Sequence, residues 1–313
     1  MDFNKYLIFL EVARQENISN AAKNLGYTQS GISHTLKRME QEMQLTLFYR
    51  DRSGAHLTES GKKLYPHIAQ MVQCQENLRQ TIHSLHNLHE GTLNIGTYSS
   101  ISRQWLPSII HRFKSDYPSI KVHFKEGGNE DIIRWIDRHE VDLGFLSACF
   151  HEDYEWIPLA EDPLMAVLPK NYPAEHPHFF SKQDNQAFPL EKFNAQTFII
   201  SALGTDVDIH HTLEIHDIHP DIQYSAQDDY TIISMVACNL GISILPKLVL
   251  DHHNADVLTL PLNPFTTRQL GIALSSGKLA SPATLKFIAY AREYIEGLSF
   301  SQQNPLSVPK KPQ

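Results

Sequence analysis

Residues Ile18 to Arg38 read Ile-Ser-Asn-Ala-Ala-Lys-Asn-Leu-Gly-Tyr-Thr-Gln-Ser-Gly-Ile-Ser-His-Thr-Leu-Lys-Arg. A short helix fits Asn20 to Leu25, with Ser19 placed to cap its free N–H groups. Gly26 suits the left-handed residue that ends a helix. Thr28 can cap a second helix, on which Ile32 and Leu36 stand four residues apart on one buried face. Outside that face lie Gln29, Ser30, Ser33, His34 and Lys37, polar side chains of the lengths that reach base edges or phosphates. Small Ala21 and Ala22 let the two helices cross closely. The stretch reads as a helix-turn-helix whose second helix enters a DNA major groove. Two amphipathic helices joined through a glycine also occur without DNA, so the flanking sequence has to decide.

Charge is the first test. The whole chain of 313 residues carries a formal −8, which seems to argue against nucleic acid. Divided, residues 1–90 hold 10 Lys and Arg against 9 Asp and Glu, whereas residues 91–313 hold 17 against 26. Between Lys23 and Lys63 the balance is 7 to 4 in favour of base. A basic face attracts phosphate, and acidity elsewhere discourages wrapping of DNA around the molecule. DNA binding is therefore permitted for the N-terminal part only. The length predicts two or three domains, and 42% hydrophobic residues supply their cores. No apolar run is long enough to span a bilayer, and the N-terminus lacks a secretion signal, which places the chain in the cytoplasm. Cys74, Cys149 and Cys238 are far apart and fit reduced thiols.

Around the opening stretch, residues 2–15 make a first helix, with Phe3, Leu7, Leu10 and Ala13 at helical spacing and Asp2 as cap. The recognition helix continues through Met39 and Glu40. From Leu45 to Gly61, two short extended pieces around Ser53-Gly54 make a hairpin, or wing, with Arg50 and Arg52 at its base. Basic residues there suit the flanking backbone or minor groove, although surface arginines also simply face solvent. Thr58 caps a long helix on which Leu64, Ile68, Met71, Gln75, Leu78, Ile82 and Leu85 form a heptad seam. About 30 residues make a rod of roughly 45 Å, suited to a two-stranded coiled coil or to packing on its own domain.

Residues 1–61 resemble the N-terminal domain of the LysR-type transcriptional regulators. The matching residues are Phe9, Val12, Ala13, Ala21, Ala22 and Leu25; Thr28, Gln29, Ser30, Ile32 and Ser33; then Leu36, Glu40, Leu45, Leu47, Phe48, Arg50, Leu57, Thr58 and Gly61. Two departures stand out. Asn17-Ile18 replaces a small residue followed by an aromatic, and His34 stands where arginine is frequent. A histidine there can alter base preference or make affinity sensitive to pH. The resemblance implies a dimerising linker helix, and a dimer or tetramer as the working form.

From Gly91 the hydrophobic period changes. Leu93–Thr97, Ile120–Lys125 and Val141–Leu146 read as strands, alternating with helices at Ile101–Tyr117 and Ile132–His139. Leu164–Pro169 opens a second unit containing Thr197–Ser201, a helix Tyr230–Asn239 and a strand Gly241–Pro246. Arg268–Leu274 and a helix Pro282–Gly297 return to the first unit. Such alternation predicts a parallel sheet covered on both faces. Gly91, Leu93, Ile95 and Gly96, Val141 to Gly144, and Gly241 to Pro246 resemble the same family's effector-binding domain, a two-lobed fold similar to periplasmic binding proteins. The predicted layout is a winged helix-turn-helix at 1–58, a dimerisation linker at 59–89 and an effector-binding domain at 90–298. Lobe I takes about 90–162 and 268–298, lobe II about 163–267, and 299–313 is a loose tail.

In open α/β sheets ligands sit where the carboxyl ends of strands meet helix starts. The loops there supply Ser99, Ser100, Ser147 and Ser201, and Arg103 stands one turn on, able to pair with a carboxylate. A small polar or anionic effector fits that set, although serine caps helices just as readily. Catalysis finds no footing: the chain lacks Gly-x-Ser-x-Gly, a phosphate-cradling loop and His-Glu-x-x-His. His83, His86 and His89, His210-His211 and His252-His253 lack the partners of a metal site. The expectation is a regulator of transcription, neither an enzyme nor a cofactor protein.

Overall fold

The computed structural model describes residues 3–85, 91–148, 154–175, 187–201, 207–251, 254–275 and 280–303. Its N-terminal head contains α1 (Asn4–Gln15), α2 (Ile18–Leu25) and α3 (Gln29–Met43), then a hairpin of β1 (Phe48–Arg50) and β2 (Ala55–Leu57). Phe9, Val12, Ala21, Ile32, Met39 and Leu47 are fully buried in one core, so the alanines do let α2 lie close to its neighbours. Asn17, rather than Ser19, caps α2: its Oδ1 accepts from the N–H groups of Ser19 (2.9 Å) and Asn20 (3.1 Å). The departure at Asn17 thus starts the helix two residues earlier than the serine would. Asp2 lies outside the described residues, and α1 begins after Phe3 without a side-chain cap. Gly26 is left-handed, with φ 71°, and Thr28 caps α3 by accepting from the Gly31 N–H at 3.1 Å.

The long α4 (Glu59–Leu85) starts where Thr58 accepts from the Gly61 N–H at 3.1 Å. Its heptad seam divides in use. Leu64, Ile68 and Met71 pack into the head's own core, while Leu78 is 61% and Ile82 48% exposed, with Gln75 exposed just before them. The side chain of Leu85 lies outside the description. One stripe therefore serves two surfaces.

The C-terminal domain begins with β3 (Gly91–Thr97), α5 (Ser99–Gln104), α6 (Leu106–Asp116), β4 (Ile120–Glu126), α7 (Asn129–Asp137) and β5 (Leu143–Ser147). The single helix expected over Ile101–Tyr117 is two, broken at Trp105 with Pro107 opening the second. Next comes β6 (Glu155–Pro169), a 15-residue strand. The second half adds α8 (Tyr172–Glu175), β7 (Phe188–Pro189), a 3-10 turn at Leu190–Phe193, β8 (Thr197–Ser201), α9 (Val207–Ile215) and β9 (Asp221–Ala226). It continues with α10 (Asp229–Ala237), β10 (Ser243–Pro246), α11 (Lys247–Leu250) and β11 (Val257–Asn263), and the chain returns through β12 (Thr267–Leu274) and α12 (Pro282–Gln303). The first five residues of the expected loose tail are thus helical.

The main sheet runs β4-β3-β5-β12-β6-β11-β7. Its β3, β4 and β5 are parallel, but β12 is antiparallel to both β5 and β6, so the sheet is mixed. Strand β6 pairs with β12 up to Pro163, and its second half pairs with β10 and β11. One strand therefore threads both lobes, and β12 recrosses beside it, with Asp162 opposite Arg268 in register. Lobe I has a core of Leu93, Ile95, Phe113, Phe145 and Phe287; lobe II has Phe188, Phe193 and Phe198 in one cluster and Ile199, Ile232 and Val236 in another. Their closest joint is the crossover.

Candidate DNA-reading face and interlobe cleft

Helix α3 presents Gln29, Ser30, His34 and Lys37 to solvent, with Ser33 half-buried and Thr28 exposed at its start. These six residues form one polar strip beside the wing. The wing is held in place from two sides. Glu40 Oε1 accepts from the backbone N–H groups of Leu47 (2.7 Å) and Phe48 (3.1 Å). Gly54 closes the turn at φ 149°, where a Cβ would meet the Glu16 carbonyl, and the Ala55 N–H donates to that same carbonyl at 2.8 Å. Arg50 and Arg52 sit at the turn end of the hairpin, not at its base, because Arg50 pairs with Ala55 in the last register position before the turn. Arg50 Nη2 donates to Ser33 Oγ at 3.5 Å, which joins wing and recognition helix into one surface.

Two further head residues belong with this face. Tyr27 is about half exposed, and Arg38 lies on α3 one turn after His34, bonded to Glu42 at 3.1 Å. Tyr49, also half exposed, lies on the other side of the hairpin, against His56 and facing α7. An aromatic at the turn between the two helices was the available signal for Tyr27. Hydrogen bonds from Ser53 and Gly54 hold Asp51 below the usual carboxylate range, so the wing tip carries a fixed negative charge beside its arginines.

Between the lobes, Tyr98, Ser99, Ser100, Ser201, Ile209, Asp229, Leu245, Pro246, Val249 and Arg268 line a narrow cleft. Its cavity volume is about 10 Å³, no more than one water, so the lobes are closed on each other. Of the expected residues, Ser99, Ser100 and Ser201 meet here. Ser147 does not reach the cleft surface: it is buried, its N–H donates to the Tyr98 hydroxyl (2.9 Å) and its Oγ to Asp208 of lobe II (2.6 Å). Arg103 is not aimed at a carboxylate either. It is exposed and its guanidinium lies 4.0 Å above the Tyr230 ring, clasping lobe II from outside. The cation that does line the cleft is Arg268, only 4% exposed. Its Nε and Nη2 donate to Asp162 Oδ2 at 3.0 and 2.8 Å, and Nη2 also donates to Ser100 Oγ at 3.4 Å. Asp162 Oδ1 accepts the Leu248 N–H at 2.9 Å. Sequence reading passed over this pair; a lone arginine opening an otherwise apolar strand was the signal.

The head and lobe I also touch. Arg138, the residue that ends α7, lies over the Tyr65 ring of α4 at 5.9 Å. Gln73 of α4 donates to Asp142 Oδ1 at 2.8 Å, while the Asn94 N–H donates to Asp142 Oδ2 at 2.7 Å. Burial pushes the Asp142 carboxyl up to about 6, with Glu76 of α4 adding repulsion and the three N–H donors from Asn94 and Gln73 opposing both. A carboxyl whose pKa is raised on folding binds its proton more tightly in the native state. Its contribution to stability is therefore present at acid pH and is lost as pH rises through about 6. Asp142→Asn keeps the shape and abolishes that loss. Denaturant titrations should show the variant gaining on the parent by about 1–3 kcal/mol between pH 4 and pH 7; parallel curves would contradict it.

Among the described residues no group of His, Cys, Asp and Glu is arranged to hold a metal. His86, His89, Cys149 and His252-His253 lie outside the described residues, while His210, His211, Cys74 and Cys238 are exposed.

A winged DNA-reading head joined by a helix to a two-lobed ligand-binding domain defines a one-component regulator. The sequence profile of the bacterial regulatory helix-turn-helix proteins of the lysR family matches residues 3–62, and that of the LysR substrate binding domain matches residues 86–296. The chain belongs to the LysR family of transcriptional regulators, and is a DNA-binding regulator with an effector-binding domain, not an enzyme. It is 28% identical to the uncharacterised HTH-type transcriptional regulator YoaU of Bacillus subtilis over 289 residues, covering 92% of this chain and 97% of that one. Its fold is similar to a full-length OxyR variant from Pseudomonas aeruginosa, at TM-score 0.74 and 19% identity, with 95% of each chain covered. The effector-binding domain of QuiR, solved in complex with shikimate, overlays 66% of this chain and 98% of its own at TM-score 0.57 and 23% identity.

Proposed function

We propose that the chain regulates transcription in the cytoplasm as a dimer, or a tetramer of paired dimers, that reads operator DNA and answers to a small effector in the interlobe cleft, without a cofactor. The observation that carries this reading is the joined surface of α3 and the wing, set on a helix whose exposed Leu78 and Ile82 continue the seam begun in the head. An apolar stripe left in water on a long helix is stabilised by a second copy. Exposed Phe124 on β4, and Ile215, Ile222 and Tyr224 on α9 and β9, give each lobe a further apolar surface for self-association. Two DNA heads then read a two-part site. In the cleft, opening must part the Ser147–Asp208 and Arg103–Tyr230 contacts between the lobes. An effector that binds one lobe arrangement better than the other shifts their populations. The Gln73–Asp142 contact passes that change to the linker helix.

Footprinting on DNA upstream of the protein's own gene tests the reading, and no protection at moderate salt would refute it. Within the head, Ser33→Ala is expected to weaken operator binding by about 1–3 kcal/mol while leaving random DNA nearly unaffected. Arg52→Ala should weaken both to a similar extent, with a shallower salt slope. Gel shifts with operator and scrambled duplexes at two salt concentrations separate the two; equal losses for Ser33→Ala would remove it from base reading.

A further inference from the structure

The rear of the wing faces lobe I across an open gap. Successive residues of β1 point to opposite faces. Arg50 reaches Ser33 on the DNA side, while Tyr49 turns to the rear and lies against the His56 ring, 5.5 Å between centres. Tyr49 and His56, with Arg14 and Glu16 from the end of α1 and Lys62 from the start of α4, form one wall of a cavity of about 610 Å³. The opposite wall carries Arg134, Asp137, Arg138 and Glu140, from α7 and the turn after it.

Both walls carry charges of both signs, and the bonds these groups make stay on their own side. Within the head, Arg14 is bonded to Glu11 at 2.7 Å, Lys62 to Glu59 at 2.8 Å, and Glu16 approaches His56 at 3.6 Å. On the lobe I side, Arg134 is bonded to Asp131 and Glu140 to Lys125 at 2.6 Å, and Asp137 accepts from the Tyr154 hydroxyl at 2.7 Å. Arg138 has no carboxylate partner among the described residues, and it crosses the gap only to the Tyr65 ring. The two walls nevertheless act on each other. Burial pushes the Tyr65 hydroxyl up, Glu140 from the far wall adds to that, and Arg138 and Arg14 oppose it. Arg14, Glu16 and Lys62 are all more than half exposed, so their present bonds are weak and readily exchanged.

Each wall belongs to a packed body. The head and the first turns of α4 share a core through Leu64 and Ile68, and Ile132 and Ile136 fix α7 to lobe I. The Gln73–Asp142 bond joins the two bodies. Lys62 lies 11 residues before Gln73, roughly 16 Å along the helix, so a tilt of roughly 18° about that bond moves the walls by about 5 Å. We infer that lobe I closes onto the rear of the wing, exchanging bonds within each wall for ion pairs between them. Arg14 and Lys62 then meet Asp137 and Glu140, and Glu16 meets Arg134 and Arg138. The wing is held from behind by the effector-binding domain, while Arg50 and Arg52 stay at its front. Each exposed pair changes the open-to-closed ratio by no more than about fivefold. Closure is therefore near balance, and a change in lobe I of modest free energy shifts it. It requires no ligand, so its test is independent of the cleft.

The test treats the full chain with a water-soluble carbodiimide, which couples an amine to a carboxylate in direct contact, and reads the linked peptides by mass spectrometry. Mixing nitrogen-15-labelled with unlabelled protein tells links within one chain from links between copies. Expected is a link within one chain from Lys62 to Asp137 or Glu140, with a yield about fivefold lower at about 0.5 M salt than at about 0.05 M. Glu16→Arg sets like charge against Arg134 and Arg138 and should lower the yield about threefold; the charge swap of Glu16→Arg with Arg138→Glu should restore it. Operator DNA, which grips the front of the same hairpin, should alter the yield by about twofold or more. No Lys62 link to either acid, a yield unmoved by salt and by Glu16→Arg, or links only between copies overturns the closure. A salt-dependent link indifferent to DNA overturns its hold on the wing. If Glu16→Arg does not fold, the salt series and the labelling on the unaltered chain decide.

Discussion

Asp162→Ala is expected to cost the effector-binding domain about 3–5 kcal/mol, among the largest losses available from a single side chain here. The reason is what it leaves behind. Arg268 is almost wholly buried, and Asp162 is the carboxylate that pairs with it, holding it through two N–H groups while also accepting the Leu248 N–H. Without Asp162 a guanidinium remains in a dry crossover with Ser100 as its neutral partner, and the start of α11 loses its anchor. Removing both charges together avoids that cost, because a buried ion pair exchanged for apolar residues of similar volume is often close to neutral. Denaturant unfolding of Asp162→Ala, of Arg268→Met and of the Asp162→Leu, Arg268→Met pair checks this. The expected pattern is a large loss in the first, a smaller one in the second and recovery in the pair. Equal losses in all three would mean that packing, not charge, holds the crossover.

Glu40→Ala should destabilise the head by about 2–3 kcal/mol and weaken binding to operator and random DNA alike. One carboxylate oxygen serves the N–H groups of both Leu47 and Phe48, two buried residues that lead into the wing. Truncation leaves both donors without their acceptor and frees the hairpin that carries Arg50 and Arg52. Glu40→Gln retains an acceptor and should recover most of the loss. Unfolding midpoints and gel shifts measured on the same preparations decide it. A head that keeps its stability in Glu40→Ala would show that the Glu16 carbonyl and Thr58 suffice to seat the wing.

Glu40 is one of the residues that carry the family resemblance, and its physical role is to accept the N–H groups that seat the wing. Other parts of the fold escaped the sequence for definable reasons. Residues 155–163 form the first part of β6, although Pro158 and Pro163 work against a strand there. The structure accommodates Pro158 beside a register shift at Leu270/Gly271, and Pro163 where β6 leaves β12. Strand β9 alternates Ile222, Tyr224 and Ala226 with polar residues, but all of its residues except Ala226 are exposed, so the alternation marks no core face. The heptad pattern of α4 was real, but periodicity cannot say what covers each turn. The head's core took the first half, and the second half stayed in water.

For the sites the division is similar. The DNA face was legible because a helix fixes which side chains share a side: once Ile32 and Leu36 were placed inside, Gln29, Ser30, Ser33, His34 and Lys37 had to be outside. The same local geometry gave Thr28, Gly26 and Thr58 their capping roles. The cleft obeys no such rule. Its residues come from loops and strands of both lobes, separated by up to 170 positions, and only folding sets Arg268 beside Ser100 and Asp162. Arg103, near the serines in sequence, is turned outward onto Tyr230, and Ser147 is drawn behind Tyr98 toward Asp208. By itself, the sequence determined the head, because its constraints act over three or four residues along one helix. The partner of each charge in the cleft was decided by tertiary structure alone, because electrostatic pairing depends on distance through space.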